Sequence, residues 1–335
     1  MMAEERKERR KSPCILEVSH LSITFTQYEK WFRRAELPVI QDLNLSVHAG
    51  EITAVVGSSG SGKSLLAHSI LGILPYNAVS QGDIRYQGEL LAESMKKEKR
   101  GREIVLVPQS VSYLDPLMKV GAQVRNGRGD EETRKREQSV LKQYGLGEET
   151  GQLYPFELSG GMARRILIST AVMEEPVLVI ADEPTPGLHI EAAKRVLGHF
   201  REIADRGAGV LLITHDLELA LEIADRVAVL YAGTTVEEAQ AEDFQKEECL
   251  RHPYSRALFR AMPGHGFKAE PGTQPYVKER LEGCPYCPRC PYKEESCREE
   301  IPWRAVENGY VRCRKNLRGS PVYRAGKLQK GENSL

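Results

Sequence analysis

A glycine-rich stretch near the amino end decides the fold of this chain; it reads Gly57-Ser58-Ser59-Gly60-Ser61-Gly62-Lys63-Ser64. It matches the pattern G-x-x-x-x-G-K-[ST], in which backbone N–H groups surround phosphates, the lysine reaches the β and γ phosphates and the final hydroxyl ligates Mg²⁺. The apolar run 52–56 before it predicts a strand, and a helical pattern begins at about Ser64. The motif requires this context, so the stretch predicts a nucleotide-binding P-loop.

Two later apolar runs predict further strands of the same sheet. Residues 177–180 and 210–213 lack the alternation of a half-buried strand, which is typical of parallel strands covered by helices on both faces. Helical spacing at 190–203 lies between them, and this order of strand, helix and strand indicates an α/β core. More strands are predicted at the amino end, at 15–18, 21–25 and 39–47.

Polar side chains follow both of these buried strands. Asp182 and Glu183 come directly after the first, so one carboxylate can help to hold Mg²⁺ while the next aligns the attacking water. His215 follows the second strand. Taken alone, each has an ordinary interpretation, as solvated acids at a strand end or a loop histidine. The P-loop upstream favours a site of nucleotide hydrolysis instead.

Composition excludes several classes of protein. The 335 residues include 47 Lys+Arg and 47 Asp+Glu, so bulk attraction to nucleic acid or anionic lipid gets no support. The apolar runs are far shorter than the roughly 18–20 residues of a membrane-spanning helix. Residues 1–13 are highly charged, and no apolar segment that could form a signal peptide follows them. We therefore expect a cytoplasmic protein.

One motif connects the chain to a known family. The segment Leu158-Ser159-Gly160-Gly161-Met162 resembles the signature motif L-S-G-G-Q of ATP-binding cassette (ABC) proteins, with methionine in place of glutamine. Gln109 matches the family's Q-loop, and Phe25 lies where the family places an aromatic side chain that stacks on adenine. The resemblance implies a P-loop NTPase domain of the α/β class over 14–245, with an antiparallel β subdomain and a helical subdomain at about 110–165.

The resemblance also implies roles for individual residues. Glu183 would polarise water, His215 would touch the γ-phosphate, and Gln109 would sense it while helping Ser64 and Asp182 to hold Mg²⁺. ATP would bind on one side to the P-loop and Phe25, and on the other to Ser159, Gly160 and Gly161 of a partner subunit.

Two further stretches resemble one branch of the family, the peptide and nickel importers. They are the segment 108–118 and the segment 251–258, which begins the carboxyl-terminal extension predicted at 246–320. This resemblance implies an ATPase peripheral to the cytoplasmic face of the membrane, bound to a second, different ABC ATPase and two permeases. An extracytoplasmic binding protein would select the cargo, whether dipeptide, oligopeptide, nickel or metal chelate. Residues 1–13 and 321–335 are predicted to be disordered tails.

Two departures from the family pattern keep alternatives open. Met162 replaces the signature glutamine, and His189 stands where the family has an aspartate that crosses to the other subunit. Unequal ATP sites are therefore one interpretation, and a regulatory cassette without hydrolysis is another. A soluble ABC ATPase acting on nucleic acid or ribosomes is a third, although the sequence contains one P-loop, one signature and no sustained heptads.

A metal or iron–sulfur centre is predicted in the extension, where five cysteines fall within thirty residues. Four thiolates can bind either Zn²⁺ or a [4Fe–4S] cluster, and the C-x₂-C spacing alone favours zinc. Resemblance favours the cluster, because peptide-importer ATPases carry matching cysteines and a [4Fe–4S] cluster is known in the family. The matching cysteines are Cys284, Cys290, Cys297 and Cys313. Cys287 replaces the family's histidine and is a spare thiol that can displace a neighbour.

Overall fold

A computed structural model describes residues 12–28, 34–58, 60–268, 270–276, 282–315 and 317. The predicted tails 1–13 and 321–335 lie outside these residues, apart from Ser12 and Pro13. Within the described part of the chain, no helix is both long enough and apolar enough to cross a membrane.

The described strands form one sheet in the order β5-β4-β1-β2-β10-β9-β3-β8-β7-β6, with β12 on β10 and β11 on β12. The strands are β1 Cys14–Tyr28, β2 Arg34–His48, β3 Ile52–Gly57, β4 Ala78–Tyr86, β5 Glu89–Leu90, β6 Ile104–Val107, β7 Leu178–Asp182, β8 Gly209–Thr214, β9 Arg226–Tyr231, β10 Thr234–Gln240, β11 Arg304–Val306 and β12 Gly309–Val311. The helices are α1 Lys63–Leu71, α2 Glu93–Lys99, α3 Val120–Val124, α4 Glu131–Gln143, α5 Gly160–Val172, α6 Ile190–Asp205, α7 Leu217–Ile223 and α8 Pro253–Ala261.

The centre of the sheet is parallel, as the apolar runs predicted. Strand β3 pairs in parallel with β8 and β9, and β7 pairs in parallel with β8 and β6. Both faces are covered: Val55 packs in one hydrophobic core with Leu66 of α1, and Ala54 and Val56 pack in the other. Because the strands are parallel, the loops after β3, β6, β7 and β8 meet at one edge of the sheet.

The amino-terminal part is antiparallel, with β1 paired to both β2 and β4. Here the prediction of two strands at 15–18 and 21–25 was wrong, since a single strand spans both. His20, with φ 51°, shifts the register between them, and its N–H donates to Asn44 Oδ1 at 2.9 Å. The sequence pattern did not reveal a single strand, because the alternation of inward and outward side chains is interrupted at His20.

Residues 111–172 contain helices and no strand, and they pack against one face of the parallel sheet through α5. Helix α5 begins at Gly160, within the signature motif. Ser159 is its N-cap, and the Ser159 hydroxyl accepts from the Met162 N–H.

The extension is joined to the sheet, which the sequence analysis did not predict. It adds β11 and β12, and β12 pairs Val311 with Glu237 of β10. These strands have three residues each, which is too short for an alternating pattern to be recognised.

Candidate functional site

The P-loop leaves β3 where another backbone runs close to it. A side chain on Gly57 would place its Cβ 2.3 Å from the Leu230 carbonyl oxygen of β9, so only glycine fits there. Gly60 and Gly62 have φ values of 78° and 89°, which glycine adopts without strain. Of the predicted phosphate-binding residues, Ser59 lies outside the described residues.

Lys63 and Ser64 begin α1 and face the carboxyl end of β7. Lys63 is buried, and its Nζ donates to the carbonyl oxygens of Gly57 and Ser58 at 3.0 and 3.1 Å. Burial lowers its pKa, an effect that the nearby Glu183 and Asp182 carboxylates oppose. The ammonium group therefore stands in the concavity where phosphates bind in other P-loops.

Ser64 and Asp182 form a pair suited to Mg²⁺. The Ser64 hydroxyl donates to Asp182 Oδ1 at 3.1 Å. Burial raises the pKa of Asp182, and the hydrogen bond from Ser64 opposes that rise. A hydroxyl and a carboxylate at this distance are hard oxygen ligands of the kind Mg²⁺ prefers, and they can hold it with phosphate oxygens and water completing the shell.

Glu183 and His215 face each other across β7 and β8. Glu183 Oε2 lies 2.8 Å from His215 Nδ1, and the Glu183 N–H donates to the Ile213 carbonyl oxygen at 2.8 Å. Glu183 has a φ of 46°, which is unusual for a residue with a side chain and is typical of functional sites. The carboxylate is almost buried, whereas the imidazole is 59% exposed. The pair can thus bind a water molecule and a phosphate at the sheet edge.

Gln109 lies after β6 and is exposed. Its backbone is held by Arg164, which was not among the predicted site residues. Arg164 of α5 is buried, and its Nη1 donates to the carbonyl oxygens of Pro108 and Gln109 at 3.1 and 2.6 Å. Burial lowers the pKa of this guanidinium. The contact ties the segment after β6 directly to the helix that the signature motif begins. Only the adjacent pair Arg164-Arg165 in an otherwise apolar helix hinted at it.

The start of the signature motif and His189 are both exposed at the amino ends of helices. Ser159 and Gly160 are exposed at the start of α5, and no hydrogen bond among the described residues joins them to Lys63. His189 is likewise exposed, at the start of α6. Phe25 is half-buried on β1 and packs against the core, so part of its ring faces solvent.

The cysteines of the extension lie near one another. Burial, followed by the thiols of Cys313, Cys290 and Cys297, raises the pKa of Cys284 to about 12. Burial and neighbouring thiols, including that of Cys287, raise the pKa of Cys290 to the same value. Burial therefore disfavours the thiolate form of Cys284 and Cys290.

The surroundings of the cysteines bear on the predicted metal or cluster. Cys284 and Cys287 line a cavity of about 660 Å³ whose charged side chains are Lys293, Arg298 and three glutamates, Glu282, Glu294 and Glu295. Among the described side chains, however, no three of His, Cys, Asp and Glu are arranged to hold a metal ion. The chemistry of the donors therefore fits the group, whereas their arrangement is not a closed site for a single ion.

Two family models match the chain. The ABC transporter model matches residues 40–186, and the model of the oligopeptide/dipeptide transporter C-terminal region matches residues 236–297. The first match contains the P-loop, the signature and both acidic residues after β7, and the second contains four of the clustered cysteines.

Curated relatives cover nearly the whole length. The chain is 34% identical over 308 residues to the dipeptide transport ATP-binding protein DppD of Escherichia coli, which spans 86% of this chain and 92% of that protein. It is 32% identical to the oligopeptide transport ATP-binding protein OppD of Salmonella typhimurium, over 89% and 92% of the two chains. Among solved structures, the dimeric bacterial ABC transporter cassette MJ0796 is similar, with a TM-score of 0.58 and 25% identity over 68% of this chain.

Proposed function

Because the chain belongs to the ATP-binding subunits of oligopeptide and dipeptide ABC transporters, we propose that it hydrolyses ATP to power the import of peptides across the cytoplasmic membrane. The observation that carries this proposal is the convergence of Lys63, Ser64, Asp182, Glu183 and His215 at one sheet edge, in a chain whose extension matches peptide transporters. The names of the curated relatives support peptides rather than nickel as cargo and an importer rather than a soluble nucleic-acid ATPase.

In the proposed reaction each residue has a defined task. Lys63 would bind the β and γ phosphates, and Ser64, Asp182 and Gln109 would hold Mg²⁺, which would supply charge neutralisation at the phosphate oxygens. Glu183 orients the attacking water and accepts its proton, while His215 contacts the γ-phosphate. Phe25 stacks on adenine through the exposed part of its ring.

We propose that the site is completed by a second, different ABC ATPase at the cytoplasmic face of the membrane. The exposed signature residues Ser159, Gly160 and Gly161 then bind the partner's ATP, and this chain's ATP is covered by the partner's signature. Met162 follows these residues in the signature, and His189 is exposed at the start of α6, so a partner with the usual glutamine and aspartate would make the two sites differ in chemistry. Two permeases would dock on the helical segment 110–165, and a binding protein would deliver the peptide.

Reconstitution of the chain with its permeases and binding protein in liposomes tests the proposal. We expect a di- or oligopeptide to stimulate ATP hydrolysis. The peptide should accumulate on the side of the membrane on which this chain and ATP lie, and only when ATP is present there. Gln109→Ala should leave Mg-ATP affinity nearly intact, because Ser64 and Asp182 can still hold Mg²⁺. It should separate hydrolysis from uptake, because the side chain that would sense the γ-phosphate is lost while Arg164 still bonds the backbone carbonyl at this position. Peptide-independent turnover without uptake would contradict an importer.

We propose further that Cys284, Cys290, Cys297 and Cys313 hold a [4Fe–4S] cluster, with zinc as the alternative. The interactions among these thiols, the burial of Cys284 and the match of the extension to peptide transporters support this proposal. Bound there, the cluster would cross-link the extension.

Anaerobically purified protein should be brown and contain about four irons and four sulfides per chain. Cys290→Ser should remove both the colour and the iron, and Cys287→Ser should keep them. Cys249→Ser is the matched control, since Cys249 lies outside the cysteine-rich segment. Colourless protein with one tightly bound zinc would contradict the cluster.

A further inference from the structure

A short segment of the extension, residues 270–276, connects the cysteine-rich region with the P-loop; we refer to it as the strap. Its first two residues are held by the cysteine-rich side. Arg289 donates to the carbonyl oxygens of Glu270 and Pro271 at 3.1 and 3.0 Å, and the Tyr286 hydroxyl donates to Glu270 Oε1 at 2.9 Å. This end of the strap is therefore fixed by three hydrogen bonds to residues beside Cys284, Cys287 and Cys290.

The other end of the strap reaches the P-loop. The Gln274 side-chain oxygen accepts a hydrogen bond from the hydroxyl of Ser58, 216 residues away in the sequence. Gln274 and Pro275 also line a small cavity together with Gly60 of the P-loop and Gly233 of the β9–β10 turn. The strap thus bonds the second residue of the phosphate-binding loop through the side chain of that residue.

A cluster of aromatic side chains lies next to Ser58. Tyr254 of α8 packs on Tyr231 at the end of β9 and on Tyr286, with ring centroids 4.4 and 5.4 Å away. Burial raises the pKa of the Tyr254 phenol, and interaction with Ser58 opposes that rise, so the phenol lies beside the P-loop residue that Gln274 bonds. Ser58 is therefore bonded by Gln274 and lies next to Tyr254, and both of these residues belong to the extension.

We propose that Gln274 is a positioning residue for nucleotide binding: through Ser58 the strap orients the P-loop, so the extension sets the affinity for Mg-ATP. The physical reason lies in the loop itself. Gly57, Gly60 and Gly62 give its backbone freedom that must be removed before its N–H groups converge on phosphates. A contact already made in the free protein removes part of that freedom and lowers the entropic cost of binding.

The affinity of the full-length chain for Mg-ATP tests the proposal, measured by calorimetry or with a fluorescent ATP analogue. Gln274→Ala should weaken binding by about three- to ten-fold, the range for one lost hydrogen bond. The turnover number at saturating ATP should change by less than about two-fold, because Gln274 touches no reacting group. Thr273→Ala, at an exposed position of the same strap, is the matched control and should bind as the wild type does.

A double-mutant cycle separates positioning from general destabilisation. If Gln274 acts through Ser58, then Ser58→Ala and Gln274→Ala should each weaken binding, and the double variant should be no weaker than the poorer single variant. Tyr286→Phe, which removes one of the three hydrogen bonds at the far end of the strap, should shift affinity in the same direction with an unchanged melting temperature. Additive effects of the two substitutions, or equal affinities for Gln274→Ala and Thr273→Ala, would overturn the proposal.

Discussion

ATP turnover is expected to fall by about 10²- to 10⁴-fold when Glu183 is replaced by glutamine, while Mg-ATP still binds. Glutamine has the size of glutamate and can keep a contact with His215, which lies 2.8 Å from the carboxylate. It cannot accept a proton from the attacking water. Lys63, Ser64 and Asp182 are unchanged in this variant, so the binding of nucleotide and Mg²⁺ should persist and the closed dimer should accumulate.

Phosphate release by the reconstituted complex measures the loss, and gel filtration with Mg-ATP detects the trapped dimer. Glu218→Gln is the matched control, because it removes the same charge from an exposed position in the first turn of α7. Its turnover should equal that of the wild type. Peptide uptake at the wild-type rate with Glu183→Gln would show that the partner's site alone drives transport.

The free energy of unfolding should decrease by about 3–5 kcal/mol when Glu237 is replaced by alanine. Glu237 is fully buried on β10, and its carboxylate accepts from the backbone N–H groups of Arg251 and His252 at 2.9 and 2.8 Å. Arg251 is also buried, with its guanidinium 3.6 Å from the same carboxylate. The substitution therefore leaves two buried donors without an acceptor and a buried cation with fewer counter-charges.

Urea unfolding followed by circular dichroism measures this change. Glu248→Ala is the control, since it removes an exposed carboxylate a few residues before α8. It should change the free energy of unfolding by less than about 0.5 kcal/mol. Because Glu237 joins the sheet to the start of the extension, limited proteolysis should release residues after about 250 first. A loss below 1 kcal/mol would mean that the extension is held mainly by β12 and its aromatic contacts.

The sequence by itself determined the class of fold and predicted most of the candidate nucleotide site. The P-loop, the two acids at the end of β7 and His215 after β8 are each marked by a local signal, namely a buried apolar run that ends in a polar residue. Parallel strands place their carboxyl ends at one edge of the sheet, so the local signals alone indicate that these side chains lie near one another. The family resemblance supplied Gln109, Phe25 and the signature.

Tertiary structure alone decided the contacts between distant segments. Ser64 meets Asp182 across 118 residues, and Ser58 meets Gln274 across 216. The hydrogen bond of Arg164 to Pro108 and the pairing of β12 with β10 at Glu237 also join segments that are distant in the sequence. Periodicity in a sequence reports which side of one element is buried, and it does not report which neighbour buries it. That choice depends on how the sheet is ordered and on how the extension packs against it.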